Sequence, residues 1–217
     1  MIIQRLGHAA LLVELAGRRI LIDPGTYAVP EAFEQTGLDA IVVTHQHPDH
    51  ADPERLPGLV RLNPDARLLM EGQAIAKLST AADAWTETRP GETVSVGRAS
   101  VTGVGGSHAI IHPELPRVGN VGVNISAPGE PSLFHPGDAY DAAPDEVGVL
   151  AVPVSAPWAK LSETVEFVRR VGASVVLPIH DAALTDVGYP IYWRTIEQLS
   201  RAARCERLEP TGRITVD

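Results

Sequence analysis

The segment His45-Gln-His-Pro-Asp-His50 constrains this chain more than any other feature. It places three imidazoles and a carboxylate within six consecutive residues, directly behind the largely apolar run Asp39-Ala-Ile-Val-Val-Thr44. Such a run reads as a buried strand. The C-terminal end of a buried strand is where α/β folds present functional groups. At a tight turn, alternate side chains point to different sides, so this one loop offers donors to two metal ions. The competing explanation is a solvated, His-rich surface loop, which the buried strand before it argues against.

Three further segments repeat the pattern of an apolar run followed by a metal-competent side chain. His108 sits in a Gly-Gly-Ser loop behind Ala99 to Val104, with His112 as its competitor for the same role. Asp138 ends His135-Pro-Gly-Asp138 behind Ser132 to Phe134, where Pro and Gly set a sharp turn that exposes a carboxylate suited to bridging two ions. His180 follows Val175-Val-Leu-Pro-Ile179, another buried-strand signature. Each has an ordinary alternative when taken alone: a backbone-bonded His, a turn-capping Asp, a satisfied core His. Together they make five of the eight histidines candidate ligands, beside two acids. Asp23 falls where the strand Arg18 to Ile22 ends. His8, after Gly7 between strand-like runs, is placed to reach the mouth of such a site or to serve only as a structural hydrogen-bonding group. Trp158, in Ser-Ala-Pro-Trp, suits a pocket wall and hydrophobic packing equally; Tyr189 and Tyr192 are weaker candidates.

Between these points the chain alternates strands and helices. Ile2 to Gly7, Ala10 to Gly17 and Arg18 to Gly25 read as three strands, the last two joined by a hairpin at Ala16-Gly17-Arg18. Strands are also predicted at 66–71, 92–96, 99–104, 121–125, 132–134, 147–152 and 174–177. Helices are predicted at 30–36, 73–84, 161–171 and 192–205, and the last is expected to pack through Ile196, Leu199 and Ala203. Strands followed by helices in both halves imply an α/β fold, a two-sheet core covered by helices on both sides. At 217 residues, one domain spanning 1–217 is expected.

Composition narrows the partners. A net charge of −9 without a long basic run, and an aromatic share of 5%, disfavour nucleic acid. A small-molecule substrate and a possible homo-oligomer remain. Cys205 is the only cysteine, which excludes an internal disulfide and a Cys-rich metal site and fits a reducing cytoplasmic home. The first residues lack a signal-peptide pattern, and no apolar run approaches a membrane span.

Taken in order, LIDPG, THQHPDH, His108, HPGD and the strand-borne His180 resemble the five motifs of the metallo-β-lactamase superfamily, a likeness that covers nearly the whole chain. The resemblance implies a four-layer αββα sandwich with two mixed β-sheets flanked by helices. It implies two divalent metal ions, zinc foremost, with manganese or iron as alternatives. One ion would be held by His45, His47 and His108, and the other by Asp49, His50 and His180. Asp138 would bridge them, and Asp23 would orient a ligand histidine or its loop. The opening GHAALLVELAGRRILIDPG is most similar to a small metal-dependent hydrolase branch that includes ascorbate-6-phosphate lactonase-like proteins. Asp138, where the zinc penicillinases use Cys, argues against antibiotic hydrolysis. The implied chemistry is attack by a hydroxide activated by the two metals on an ester, lactone or phosphoester of a small polar metabolite, with Asp49 taking or relaying a proton. The rivals are a di-iron redox protein and a non-catalytic metal-binding module.

Overall fold

The computed structural model describes residues 1–78 and 85–217. Two seven-stranded mixed sheets dominate. The first has the order β14-β1-β2-β3-β4-β5-β6, and the second β13-β12-β11-β10-β9-β8-β7. In the first sheet the strands are β1 (Ile2–Arg5), β2 (Leu11–Leu15), β3 (Arg18–Ile22), β4 (Ala40–Val43), β5 (Arg67–Glu71), β6 (Trp85–Thr88) and β14 (Arg213–Thr215). The second contains β7 (Thr93–Val96), β8 (Ala99–Val104), β9 (Gly122–Ser126), β10 (Leu133–His135), β11 (Val149–Pro153), β12 (Val175–Ile179) and β13 (Arg204–Cys205). The helices are α1 (Leu56–Leu62), α2 (Gly72–Leu78), α3 (Leu161–Val171) and α4 (Tyr189–Leu199).

The layering follows from the two-residue side-chain period of a strand. Leu11, Val13 and Leu15 of β2, Ile20 and Ile22 of β3, and Ala40 and Val42 of β4 point inward, where they meet Val149 and Ala151 of β11 and Val175, Leu177 and Ile179 of β12 in one core between the sheets. The alternate residues Leu12, Leu21, Ile41 and Val43 face Leu56 and Leu59 of α1 and Ala74 of α2. On the other side, Leu150, Val152 and Val176 face Val165, Phe167 and Val168 of α3 and Trp193 and Ile196 of α4. Three apolar seams separate four layers, which is the expected αββα sandwich.

The direction of the strands gathers the candidate site. β1 and β3 flank β2, each antiparallel to it, and β4 is parallel to β3, so β1, β3 and β4 run in one sense. In the other sheet β8 and β10 are both antiparallel to β9, and β11 and β12 continue parallel to β10. The C-terminal ends of β1, β3, β4, β8, β10 and β12 lead directly to His8, Asp23, His45, His108, Asp138 and His180.

Several expected elements differ. The helix predicted at 30–36 is a single 3₁₀ turn, Pro30–Ala32. The one predicted at 73–84 forms as α2 up to Leu78, and 79–84 lie outside the described residues. The final helix starts earlier and ends at Leu199, after which Arg204–Cys205 pair with β12. Its core face is therefore Tyr189, Trp193 and Ile196, while Leu199 is 47% exposed and Ala203 lies on the surface. Helix α1 and strands β6 and β14 have no counterpart in the sequence reading.

Candidate metal centre

The loop after β4 folds back on itself, and the loop after β3 holds it there. The Thr26 amide donates to the Pro48 carbonyl, and the Asp52 amide donates to that of Pro24. Asp23, fully buried, accepts hydrogen bonds from the Thr44 amide at 2.8 Å, from the Thr44 hydroxyl at 2.7 Å and from His50 Nδ1 at 2.7 Å. One carboxylate thus fixes the strand end and the far imidazole of the hexapeptide together. Across the site, Asn120 Oδ1 accepts from the Asp138 amide while its Nδ2 donates to the Pro136 carbonyl, which pins the His-Pro-Gly-Asp turn. Gly137, at φ 61, completes that turn, and a Cβ there would lie 2.2 Å from Asn120 Oδ1.

Each ring orientation has an identifiable cause. His50 gives its Nδ1 proton to Asp23, His108 to the Ala109 carbonyl at 2.6 Å, and His180 to the Ser155 carbonyl at 2.6 Å. The Thr44 hydroxyl, its proton committed to Asp23, accepts from His45 Nδ1 at 3.1 Å. In all four rings Nε2 is left facing inward. The Nε2 atoms of His50, His108 and His180 are buried without a hydrogen-bond partner, as is Asp138 Oδ1. They converge on the Asp138 carboxylate: His50 Nε2 is 3.1 Å from Oδ1, and His108 and His180 Nε2 are 3.4 and 3.2 Å from Oδ2. Orphaned buried nitrogens cost free energy unless something satisfies them. Inward lone pairs around a carboxylate are the donor set a divalent cation requires, so these residues fit a metal.

Two groups of ligand atoms, each within 4.8 Å of one another, meet at this point. One comprises His45, His47, His108 and Asp138; the other comprises His8, Asp49, His50 and His180. His47 enters through Nδ1, 3.1 Å from His45 Nε2. Asp138 groups with the first set and touches His50 and His180 of the second. His112 stays on the surface, its Nδ1 accepting from the Glu114 amide. Trp158 donates its indole N–H to Asp138 Oδ2 at 2.9 Å. Tyr189 belongs to the α3 and α4 core. Cys205 lies half-buried in β13 with Sγ 3.9 Å from Ser200 Oγ.

Electrostatics agree with the geometry. Burial acts to raise the Asp138 carboxyl, but the histidines around it, His50 first, hold it well below the usual carboxylate range. Burial also acts to raise Asp49, and the close approach of His180 and His8 overrides it and holds it low. Burial lowers His180, yet Asp138 and Asp49 lift it to about 9; His50 is raised for the same reason by Asp138 and Asp23. Where carboxylates meet nitrogen lone pairs, protons occupy the positions a cation would take. His45 moves the other way, its pKa lowered well below the ordinary value by burial and by neighbouring His50.

The backbone is strained here as well. His8, Asp23 and His180 have φ of 50, 47 and 58, in the left-handed region that non-glycine residues seldom adopt. Such strain collects at functional sites. Sequence reasoning passed over two contributors. Thr44 stands directly before His45 and was visible as a hydroxyl at the strand end; Asn120 has no local signal, because its role is set by a turn that comes 16 residues later.

Residues 2–180 match the family described as the beta-lactamase superfamily domain. Protein Rv0786c of Mycobacterium tuberculosis is 39% identical over 196 residues, covering 89% of this chain and 90% of that protein. A UPF0173 metal-dependent hydrolase of Azorhizobium caulinodans is 30% identical over 204 residues, covering 81% and 83%. Among solved structures, Igni18, a metallo hydrolase from Ignicoccus hospitalis, superimposes with a TM-score of 0.75 at 18% identity, covering 100% of this chain and 99% of that one.

Proposed function

The chain belongs to the β-lactamase superfamily, and on that premise we propose that it is a metal-dependent hydrolase that cleaves an ester, lactone or phosphoester of a small molecule at a two-metal site. The observation that carries this reading is the set of buried, unpartnered Nε2 atoms of His50, His108 and His180 around Asp138. His45, His47 and His108 would hold one ion and Asp49, His50 and His180 the other, with Asp138 between them; zinc suits this donor set, and manganese or iron share it. When bound, the metal pair supplies Lewis acidity and acidifies a water molecule.

The protein's own groups do the rest. Asp23 and the carbonyls of Ala109 and Ser155 hold the Nδ1 protons of His50, His108 and His180, so each ring presents a lone pair without reorganising. The Trp158 indole fixes Asp138 Oδ2. Asp49, the most exposed carboxylate of the set with 24% of its side chain accessible, is ionised at neutral pH and accepts a hydrogen bond from attacking water. A groove beside His47 and His108 is lined by Ile110, Ile111 and Leu115, all solvent-exposed, which suits a substrate with an apolar portion next to its scissile bond. Leu115→Ser is expected to raise KM for alkyl esters roughly tenfold with little change in kcat, consistent with loss of one apolar contact; equal KM values would remove the groove from the binding site.

The reading is tested by elemental analysis of untagged protein followed by turnover assays on lactones, aryl esters and phosphodiesters. About two divalent ions per chain and hydrolysis of one of these classes are expected. A fully loaded protein that turns over none of them would refute the hydrolase reading, and iron with O₂-dependent turnover would replace it with a redox one.

A further inference from the structure

His8 is grouped by distance with Asp49, His50 and His180 around one metal position. We infer that it is not a ligand but a positioning residue, a tautomer-locked donor that fixes the Asp49 carboxylate; the inference rests on the two-metal reading above. The Ala182 amide donates to His8 Nδ1 at 3.2 Å. A nitrogen that accepts an N–H carries no proton of its own, so the proton of the ring is on Nε2. That atom lies 3.2 Å from Asp49 Oδ2. The polarity is the reverse of that in His45, His50, His108 and His180, whose Nδ1 atoms face acceptors and whose Nε2 atoms face the centre. Where those four rings offer a lone pair, His8 offers a hydrogen.

The lock is built from both sheets. The His180 amide donates to the His8 carbonyl at 3.1 Å, so the two strained residues brace each other. Arg5 of β1 contacts both oxygens of Asp181 at 2.8 Å, holding the segment that presents the Ala182 amide. The His8 ring is 2% exposed and packs against the His180 ring at 4.1 Å and the edge of Tyr27 at 5.2 Å. Asp49 is the metal-facing acid of its loop and only half-buried, and His8 sets where its Oδ2 sits, beside His180 Nε2 at 3.4 Å.

Two substitutions separate the two halves of the ring. In His8→Asn the short amide can take the Nδ1 position and keep the Ala182 bond, but it does not reach Asp49. In His8→Gln the longer amide reaches the Nε2 position and keeps the N–H that Asp49 needs. Asn tolerates positive φ better than Gln, so a better-performing Gln variant cannot be credited to the backbone. Zinc affinity is measured by competition with a chelator, and the tautomer by long-range ¹H–¹⁵N NMR of the histidine rings in metal-free and zinc-loaded wild type. The expected result is an Nε2-protonated His8 in both states. His8→Asn should lose about 10- to 100-fold in affinity for one ion only, with a fall in kcat and little change in KM, and His8→Gln should recover most of it. Loss of the His8 Nε2 proton on loading, or equal losses in the two variants, would overturn the inference. Wild type that binds no zinc would sink the two-metal reading, whereas an Nδ1-protonated His8 in metal-free protein would sink the His8 assignment by itself.

Discussion

Asp138→Asn is expected to lower kcat at least ~10³-fold, about 4 kcal/mol of transition-state stabilisation, and to reduce bound metal, while the protein remains folded. The substitution preserves volume at a residue only 3% exposed, so no cavity opens. It removes the negative charge on which His50, His108 and His180 converge. An amide N–H placed at the Oδ2 position would also meet the Trp158 indole N–H, a donor against a donor. A second consequence appears in chelator-treated protein. In wild type, burial pulls His180 down but Asp138 and Asp49 hold it at about 9, above its ordinary 6.5. A histidine with a raised folded pKa contributes stability that is fully present below the unfolded pKa and is lost as pH rises through the folded one. Metal-free wild type should therefore lose Tm between about pH 6.5 and 9, and metal-free Asp138→Asn should show a flatter profile. Thermal melts across that range, with metal analysis and steady-state kinetics, check all three outcomes. Near-normal kcat with full metal content would remove Asp138 from the centre.

How much of this was legible in the sequence depends on what each element buries. Strands β4, β10 and β12 are buried at every position, so they read as apolar runs, and the histidines and acids of the site follow them. Edge strands carry no such mark. Trp85-Thr-Glu-Thr88 and Arg213-Ile-Thr215 are mostly solvent-facing, and only the neighbouring strand makes them strands. Helix α1 contains Pro57 and Gly58, which disfavour a helix. It forms because Pro57 lies in the first turn, where its missing N–H costs nothing, and because Leu56 and Leu59 are buried. In α4 the aliphatic spacing picked out Ile196 correctly but not Leu199 and Ala203, since the aromatic Tyr189 and Trp193 supply the rest of the packing. In the site, residue type and position behind a strand identified the groups brought together. The proton positions on their rings could not be read, because they are dictated by the local backbone conformation that turns the Ala109 carbonyl onto His108 and by the Ser155 carbonyl and Ala182 amide, which the tertiary structure brings to His180 and His8.

Gly25→Ala is expected to destabilise the protein by about 3 kcal/mol, a Tm loss of roughly 6–12 °C for a chain of this size, and to weaken metal binding in the same variant. A Cβ on Gly25 would sit 1.8 Å from the Asp49 carbonyl oxygen, 2.0 Å from its carbon and 2.5 Å from the His50 nitrogen. All three are backbone atoms, so no side-chain rotation relieves the overlap. The loops must part at the point where the Thr26 amide meets the Pro48 carbonyl and the Asp52 amide meets that of Pro24. The same movement would draw Asp49 and His50 away from His8 and Asp23, the groups that hold their side chains. Stability and metal affinity should therefore fall together, which separates this position from an ordinary core defect. Gly58→Ala is the control. It lies within α1, its nearest new neighbour would be Arg61 Nη2 at 3.8 Å, and it should stabilise by about 0.5–1 kcal/mol without touching the metal. Paired denaturation and chelator-competition measurements on the two variants decide the matter. If Gly25→Ala melts and binds zinc as wild type does, the loop after β3 does not hold the hexapeptide in place, and the hexapeptide must owe its shape to the Asp23 bonds alone.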